Sequence, residues 1–152
     1  MSESSIQTGL QAAIQSMFEF ADADVVINDW SILDNSNANA PYVIIENADE
    51  FTSRQDVMTP VTKWSEKITL IEKFEDWDTT LNGLRTRRQA IIDKINTGEA
   101  RSAGVLEAVT IDEISSGGPI GYIYNRYIPD EQINEELPAF LSQLIILACE
   151  EY

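Results

Sequence analysis

The sequence contains no histidine, one cysteine and few basic residues, and each scarcity excludes a kind of chemistry. Without histidine, the chain lacks the commonest general base and the most frequent transition-metal ligand. The lone Cys149 can form neither an internal disulfide nor a zinc site built on thiolates, and its apolar neighbours predict a buried core residue. We therefore expect a protein that is not an enzyme and has no cofactor.

Long apolar segments are also missing from the sequence. No apolar run reaches the roughly 18 residues that a membrane-spanning helix requires. The N-terminal segment has no basic region ahead of an apolar stretch, so we expect no signal peptide, no membrane association and synthesis in the host cytoplasm. The length of 152 residues suits a single domain, which we predict to span residues 1–152.

Basic residues are outnumbered, and the two signs of charge are unevenly distributed. Ten Lys and Arg face 26 Asp and Glu, which gives a formal charge of -16. The acidic excess lies in residues 1–60 and 99–152, whereas residues 61–98 are nearly balanced. Such a chain offers no basic surface for a nucleic-acid backbone. It can instead repel DNA, imitate DNA, or meet a basic protein.

Hydrophobic periodicity predicts an α+β fold, with a mostly antiparallel β-sheet packed against two main helices. Helical spacing predicts the helices at residues 4–20 and 75–98. Alternating or apolar stretches predict strands at residues 25–27, 42–47, 62–74, 103–116, 120–128 and 138–152. The glycine-rich SSGGPIG, residues 115–121, reads as a turn between strands. The last strand is apolar on both faces, which is typical of a central strand.

Residues 47–61 are polar and have few periodic positions, which predicts a long hairpin arm between two antiparallel strands. The strand after this arm places Trp64, Glu66, Ile68 and Leu70 on one face. Glu66 is the polar exception on that face.

The strongest candidate site is LRTRRQAII, residues 84–92, which puts three arginines into four positions of an acidic chain. At about 100° per residue, Arg88 points into the middle of an apolar stripe, and Arg85 and Arg87 flank that stripe. The stripe consists of Trp77, Leu81, Leu84, Ile91, Ile92 and Ile95.

Two interpretations of Arg88 stay open. Its stem can pack on Leu84 and Ile92 while the guanidinium reaches water or an internal acid. Alternatively, an arginine among apolar residues has the composition of an interface anchor. In that case the three arginines meet an acidic face of a neighbouring copy.

Paired acids raise the question of a divalent-metal site at Asp22 and Asp24, or at Asp76 and Asp78. Acids at the start of a helix are favoured for capping and for the helix dipole. Hard cations need several converging oxygens, and no spacing here supplies them. We expect no metal site.

The order of elements, with KITLIEKFEDWDTTLNGLRTRRQAIIDKI and the terminal LPAFLSQLIILACEEY, resembles the tail terminator proteins of long-tailed bacteriophages. These are also called tail-completion or minor tail proteins of the neck. The resemblance implies a small α+β protomer that forms a hexameric ring, caps the tail tube and presents a surface for head–tail joining. No catalytic residues exist in that family.

The resemblance also implies partners and a location for this chain. The partners are a homo-oligomeric ring, the tail-tube protein and a head-side neck or connector protein, and the location is the virion. We expect Arg85, Arg87 and Arg88 at the subunit interface. We expect Phe51, Arg54, Asp56 and Met58 in an arm that contacts the tail tube. DNA passes through such a ring without specific binding, and an acidic lumen favours this because like charges repel.

Other functions fit parts of the same pattern. A monomeric DNA mimic or inhibitor would use the acidic flanks to occupy a basic cleft. Another neck protein, such as a head-completion protein, has much of the same sequence pattern. A hydrolase built on carboxylates alone fits least well, because no nucleophile motif is present.

Overall fold

The computed structural model describes residues 3–17, 20, 24–34, 41–48, 54–55, 62–96, 109–128 and 133–151. Helix α1 spans Glu3–Gln15 and helix α2 spans Trp77–Asn96. The strands are β1 (Val25–Ile27), β2 (Tyr42–Asn47), β3 (Arg54–Gln55), β4 (Thr62–Lys73), β5 (Val109–Ile128) and β6 (Ile133–Glu151). A short 3-10 helix, Trp30–Asp34, follows β1. These elements confirm the α+β prediction.

The described strands form one mixed sheet in the order β1-β2-β4-β6-β5, with β3 also beside β4. Strand β1 runs parallel to β2, and every other described pair is antiparallel. Strand β6 has β4 on one side and β5 on the other, so the prediction of a central last strand is confirmed. Its two apolar faces follow from this position, because a central strand is covered more completely than an edge strand.

Both helices pack on the same face of the sheet and share one hydrophobic core. Ile6, Leu10 and Ile14 recur every four residues on α1, so they form a single buried stripe. They meet side chains from α2 and the strands, among them Leu84, Ile91, Ile95, Val43, Ile68, Leu70, Ile145 and Leu147. Fully burying one such side chain stabilises the fold by about 1.5–3 kcal/mol. Cys149 is 1% exposed in this core, as expected.

The other face of the sheet carries a smaller buried cluster. Tyr42, Ile44 and Ile71 are its buried members, and Ile32 and Leu33 of the 3-10 helix pack against them. Tyr42 and Phe140 meet edge to face, with ring centroids 6.2 Å apart. The 3-10 helix after β1 thus covers part of this second face.

The prediction of two separate strands at 103–116 and 120–128 is wrong. Residues 109–128 form one continuous strand, β5, although its register against β6 shifts at three places. One shift lies between Ser116 and Gly118, so the expected glycine-rich turn is a bulge inside a strand. Pro119 is tolerated here because β5 lies at the edge of the sheet, where proline within a strand is usually found.

The connection predicted before the last strand is also shorter than expected, and this creates a protruding element. Strand β6 already begins at Ile133, and its pairing with β4 ends at Phe140, opposite Lys73. Beyond that point, residues 121–128 and 133–139 pair only with each other among the described strands. We call these two segments the β5–β6 ribbon. At 3.3–3.4 Å per residue, the ribbon extends beyond the end of β4 by about 20 Å.

The structure does not confirm the long hairpin arm expected at residues 47–61. Residues 54–55 form β3, which pairs with β4 through Arg54–Lys63 and Gln55–Thr62. Residues 49–53 and 56–61 lie outside the described residues. At β3, therefore, the chain stays beside the sheet.

Candidate functional site

Helix α2 begins at a side-chain cap that fixes where the arginines lie. Asp76 precedes the helix, and its Oδ1 accepts a hydrogen bond of 2.8 Å from the backbone N–H of Thr79. Hydrogen bonds from the backbone and side chain of Thr79 hold the pKa of the Asp76 carboxyl below its ordinary value. The capping role expected for this acid is thus present.

One member of the predicted apolar stripe of α2 is not in the core. Trp77 is 44% exposed and packs edge to face on Phe74, with ring centroids 5.2 Å apart. It is the first residue of α2, where the helix has only begun to cover the sheet. Thr80, Leu84, Ile91, Ile92 and Ile95 are the residues of α2 that are buried.

Arg87 forms an ion pair within the chain. Its Nη1 lies 2.5 Å from Oε1 of Glu72, near the end of β4. The side chains are 30% and 18% exposed, so this pair is partly removed from water. Gly83 faces the same pair, and a Cβ at that position would lie 3.1 Å from both Arg87 Nη1 and Glu72 Oε2. Glycine therefore lets α2 lie close to this ion pair.

Arg88 also finds its partner within the chain. Its Nη1 donates a 2.5 Å hydrogen bond to the amide oxygen of Gln143, which is buried on β6. In the isolated chain, the Arg88 guanidinium is therefore directed into the subunit. Its acceptor is a side-chain amide rather than an acid or water. Since Gln143 is neutral, this contact leaves the charge of Arg88 uncompensated.

Arg85 differs from the other two arginines because it is exposed and makes no hydrogen bond or ion pair with the described part of the chain. It lies about 160° around α2 from Arg87. Arg87 reaches β4 and Arg88 reaches β6, so Arg85 lies on the flank of α2 that is nearest β5. The interface role expected for the three arginines stays a prediction, and Arg85 is the member best placed for it.

The side chains of Glu72, Arg87, Arg88 and Gln143 form a polar layer beneath α2. Two of their polar atoms make no hydrogen bond in the described structure. Glu72 Oε2 and Arg88 Nε are buried and have no hydrogen-bond partner in the described structure. Burial raises the pKa of the Glu72 carboxyl; the Arg87 guanidinium opposes this rise and the charge of Glu75 adds to it. Beside this layer, an open depression of about 340 Å³ is lined by Asn82, Gly83, Thr86 and Arg87.

A second buried polar contact joins α1 to β4. Glu66, the polar exception in the predicted strand face, is fully buried. Its two oxygens accept hydrogen bonds of 3.1 Å from Gln7 Nε2 and 3.0 Å from Trp64 Nε1. Because Gln7 belongs to α1, this contact helps to set where the helix lies on the sheet.

Sequence reasoning missed Glu72, Gln143 and Gln7 as partners. The signal for the first two was present, because Glu72 continues the alternation of Trp64 to Leu70, and Gln143 occupies one face of the last strand. Polar residues at inward-facing strand positions require partners. No such pattern marks Gln7, whose partner lies 59 residues away.

The remaining expected site residues form no constellation in the described structure. Arg54 lies in β3, whereas Phe51, Asp56 and Met58 lie outside the described residues. Asp22 is also outside them. Across the described ranges, no group of three or more His, Cys, Asp or Glu side chains is placed to hold a metal ion. No helix in those ranges is both long and apolar enough to cross a membrane.

Comparison with known proteins gives no family assignment. The sequence matches no protein-family model, and it has no significant match among curated proteins.

Proposed function

We propose that the protein is a structural virion protein of the phage neck. It assembles into a ring, expected to be a hexamer, which caps the tail tube and provides the surface for head–tail joining. It acts through contacts between subunits and with its neighbours, the tail-tube protein and a head-side neck protein, and it catalyses no reaction.

The observation that carries this proposal is the unpaired backbone along the outer edge of β5. Strand β5 spans Val109–Ile128 at the edge, and within the described residues no strand pairs with its outer side. Long unpaired edges promote association, and natural proteins use or block them. A protein whose activity is self-assembly has a use for such an edge.

Charge supports the same conclusion. A chain with a formal charge of -16 repels DNA, which suits the wall of a channel through which a genome passes. The same chain exposes Arg85 on α2, where carboxylates of another copy can meet it. A head-to-tail ring needs two different complementary surfaces on each subunit, and an exposed arginine on a mostly acidic chain supports such a pairing.

Solution mass as a function of protein concentration tests this proposal. We expect sedimentation velocity to show a closed oligomer, and negative-stain electron microscopy to show rings that bind the ends of tubes of the cognate tail-tube protein. A monomer at every concentration would overturn the proposal. If that monomer bound a DNA-processing enzyme, the function as a DNA mimic would replace it.

A further inference from the structure

Part of one edge of β6 has backbone that no described strand pairs with. Strand β4 ends at Lys73, which pairs with Phe140, whereas β6 extends further, to Ile133. The last hydrogen bond on this side, among the described residues, runs from the backbone N–H of Phe74 to the carbonyl oxygen of Ala139, at 3.0 Å. Over residues 133–138, the edge of β6 that continues the line of β4 is therefore unpaired within the described structure.

The backbone of this edge is regular and open to a further strand. At each of the three register shifts, β5 advances by two residues while β6 advances by one, so the bulges lie in β5. The N–H and C=O groups of a regular strand point alternately to its two neighbours. Because the carbonyl of Ala139 points to the β4 side, the backbone groups of Leu137, Glu135 and Ile133 do so as well. Pro138, which lacks an N–H, has its nitrogen on the β5 side and does not block this edge.

An exposed tryptophan lies beside this edge. Trp77 packs edge to face on Phe74, with ring centroids 5.2 Å apart, and Phe74 is the residue that makes the last hydrogen bond to β6. Trp77 precedes the buried Leu84 by about two helical turns, so both side chains point from α2 toward the sheet. Trp77 is nevertheless 44% exposed, because β4 ends at Lys73 and does not continue beneath it. We call Phe74, Trp77 and the edge of β6 over Ile133–Leu137 the edge groove.

The charged side chains close to Trp77 in sequence favour a cation. Glu75 and Asp78 are both exposed. Lys73 follows Glu72, which contacts α2, so the alternation along a strand turns Lys73 to the other face of the sheet. Tryptophan is also the aromatic side chain that attracts a cation most strongly. The edge groove therefore fits a basic side chain better than an acidic one.

We propose that an extended, basic segment of a partner protein binds in the edge groove as a further strand, antiparallel to β6 and in line with β4. In such strand addition, main-chain hydrogen bonds give affinity and alternate side chains give specificity. Phe74 shows the geometry, because its N–H points to β6 while its side chain packs against the core beneath the helices. The bound residues whose N–H groups pair with β6 therefore carry their side chains on the face of Trp77, and these residues are basic. β-Branched residues suit the positions between them.

This inference goes beyond the proposed assembly function, because one subunit carries the entire edge groove. The chain itself is a poor source of the bound segment, since 26 acidic residues outnumber its ten basic ones. The partner is therefore a different, basic protein. Complementary charge determines mainly which partner is selected and how fast it binds, and the strand edge supplies the hydrogen bonds.

Synthetic peptides test the strand addition on the full chain. We expect a short, capped and fluorescently labelled peptide of alternating Lys and Val to bind saturably in fluorescence anisotropy. The salt concentration should be about 150 mM, where attraction between distant charges is screened. N-methylation of the Lys residues removes the N–H groups that face β6 and should weaken binding by about tenfold or more. N-methylation of the Val residues is the matched control, because their N–H groups point away from β6, and it should leave binding unchanged.

Variants of the protein test the position of the site. We expect Trp77→Ala and Asp78→Lys each to raise the dissociation constant of the Lys-Val peptide by about tenfold. Trp30→Ala removes another exposed tryptophan, in the 3-10 helix, and Asp93→Lys makes the same charge change near the end of α2. Both should leave binding unchanged. Circular dichroism of each variant shows whether the fold is retained.

The outcomes distinguish this inference from the proposed function. Absence of saturable binding, equal binding of the two N-methylated peptides, or equal effects of Trp77→Ala and Trp30→Ala would each overturn the strand addition. If no peptide binds and Trp77→Ala instead weakens self-assembly, another copy of the chain occupies the edge, and the assembly function stands without this inference. A wild-type chain that is monomeric at all concentrations but binds the Lys-Val peptide as expected overturns the assembly function and supports this inference.

Discussion

Gln7 donates a 3.1 Å hydrogen bond from its side-chain amide to the buried carboxyl group of Glu66, across 59 residues of sequence. The contact joins α1 to the sheet at a position where Trp64 and Ile68, on the same face of β4, and Leu147, the partner on β6, are apolar core residues. Burying a carboxyl group is costly unless donors surround it. Trp64 supplies another donor from the same strand, so the two side chains compensate the group together.

Removing the Gln7 amide should destabilise the fold. We expect Gln7→Leu to lower the free energy of unfolding by about 1–3 kcal/mol, because Glu66 loses a donor in a buried place. Urea unfolding would measure the change. Gln89→Leu makes the same substitution at an exposed position of α2 and should change stability by less than about 0.5 kcal/mol. Equal effects of the two substitutions would contradict the buried contact.

The Glu72 carboxyl should make stability depend on pH. Burial raises the pKa of Glu72 above its ordinary value of 4.5, so the folded protein holds this proton more tightly than the unfolded chain does. The free energy of unfolding should therefore fall as pH rises from 4.5 through the raised pKa. Glu72→Gln should lack this part of the slope. Urea unfolding of both proteins over that pH range measures the difference, and parallel curves would refute the assignment.

Asp76 provides a control of opposite sign. Hydrogen bonds from Thr79 lower the pKa of Asp76 below 3.8, so its contribution is present above that pH and is lost as pH falls through the lowered pKa. The stability difference between wild type and Asp76→Ala should grow as pH rises. The free energy of unfolding of the wild type, relative to that of Glu72→Gln, should instead fall as pH rises from 4.5 through the raised pKa of Glu72.

Arg88 and Gln143 should behave as an energetically coupled pair. Arg88→Leu leaves the buried amide oxygen of Gln143 without its donor, and we expect a loss of about 1–3 kcal/mol in the free energy of unfolding. Gln143→Leu leaves the guanidinium without its acceptor. The double variant removes donor and acceptor together and leaves neither without its partner, so it should cost less than the sum of the single changes. Additive losses would show that the two side chains act independently.

This cycle should be measured at a single protein concentration, because self-association shifts apparent stability. Solution mass measured on the same variants separates two roles for Arg88. If Arg88→Leu lowers stability without changing assembly, its role lies within the subunit. If it abolishes assembly at unchanged stability, its role lies at the interface.

Much of the fold could be predicted because local periodicity and burial agree. Helix α2 lies where the spacing of Leu84, Ile91 and Ile95 indicates, and a capping acid precedes it. The continuous strand β5 could not be predicted, because Gly117, Gly118 and Pro119 normally end a strand. Pairing with β6 overrides that preference, and a bulge takes up the irregularity.

The candidate site also has one part that the sequence predicts and one part that it does not. The concentration of arginines and their directions around α2 follow from helical geometry alone. The partners of those arginines do not, because Glu72 and Gln143 come from two different strands that only the sheet brings under the helix.

The sequence by itself determined the acidic charge, the absence of histidine chemistry, and the two helices with an apolar stripe each, because these depend on composition and short-range spacing. Only the tertiary structure decided that Arg87 and Arg88 have partners inside the subunit, that Arg85 has none among the described residues, and that a ribbon extends beyond β4. Those facts depend on strand register and on where each strand ends. Contacts across the sheet set both, over distances in sequence that local patterns do not span.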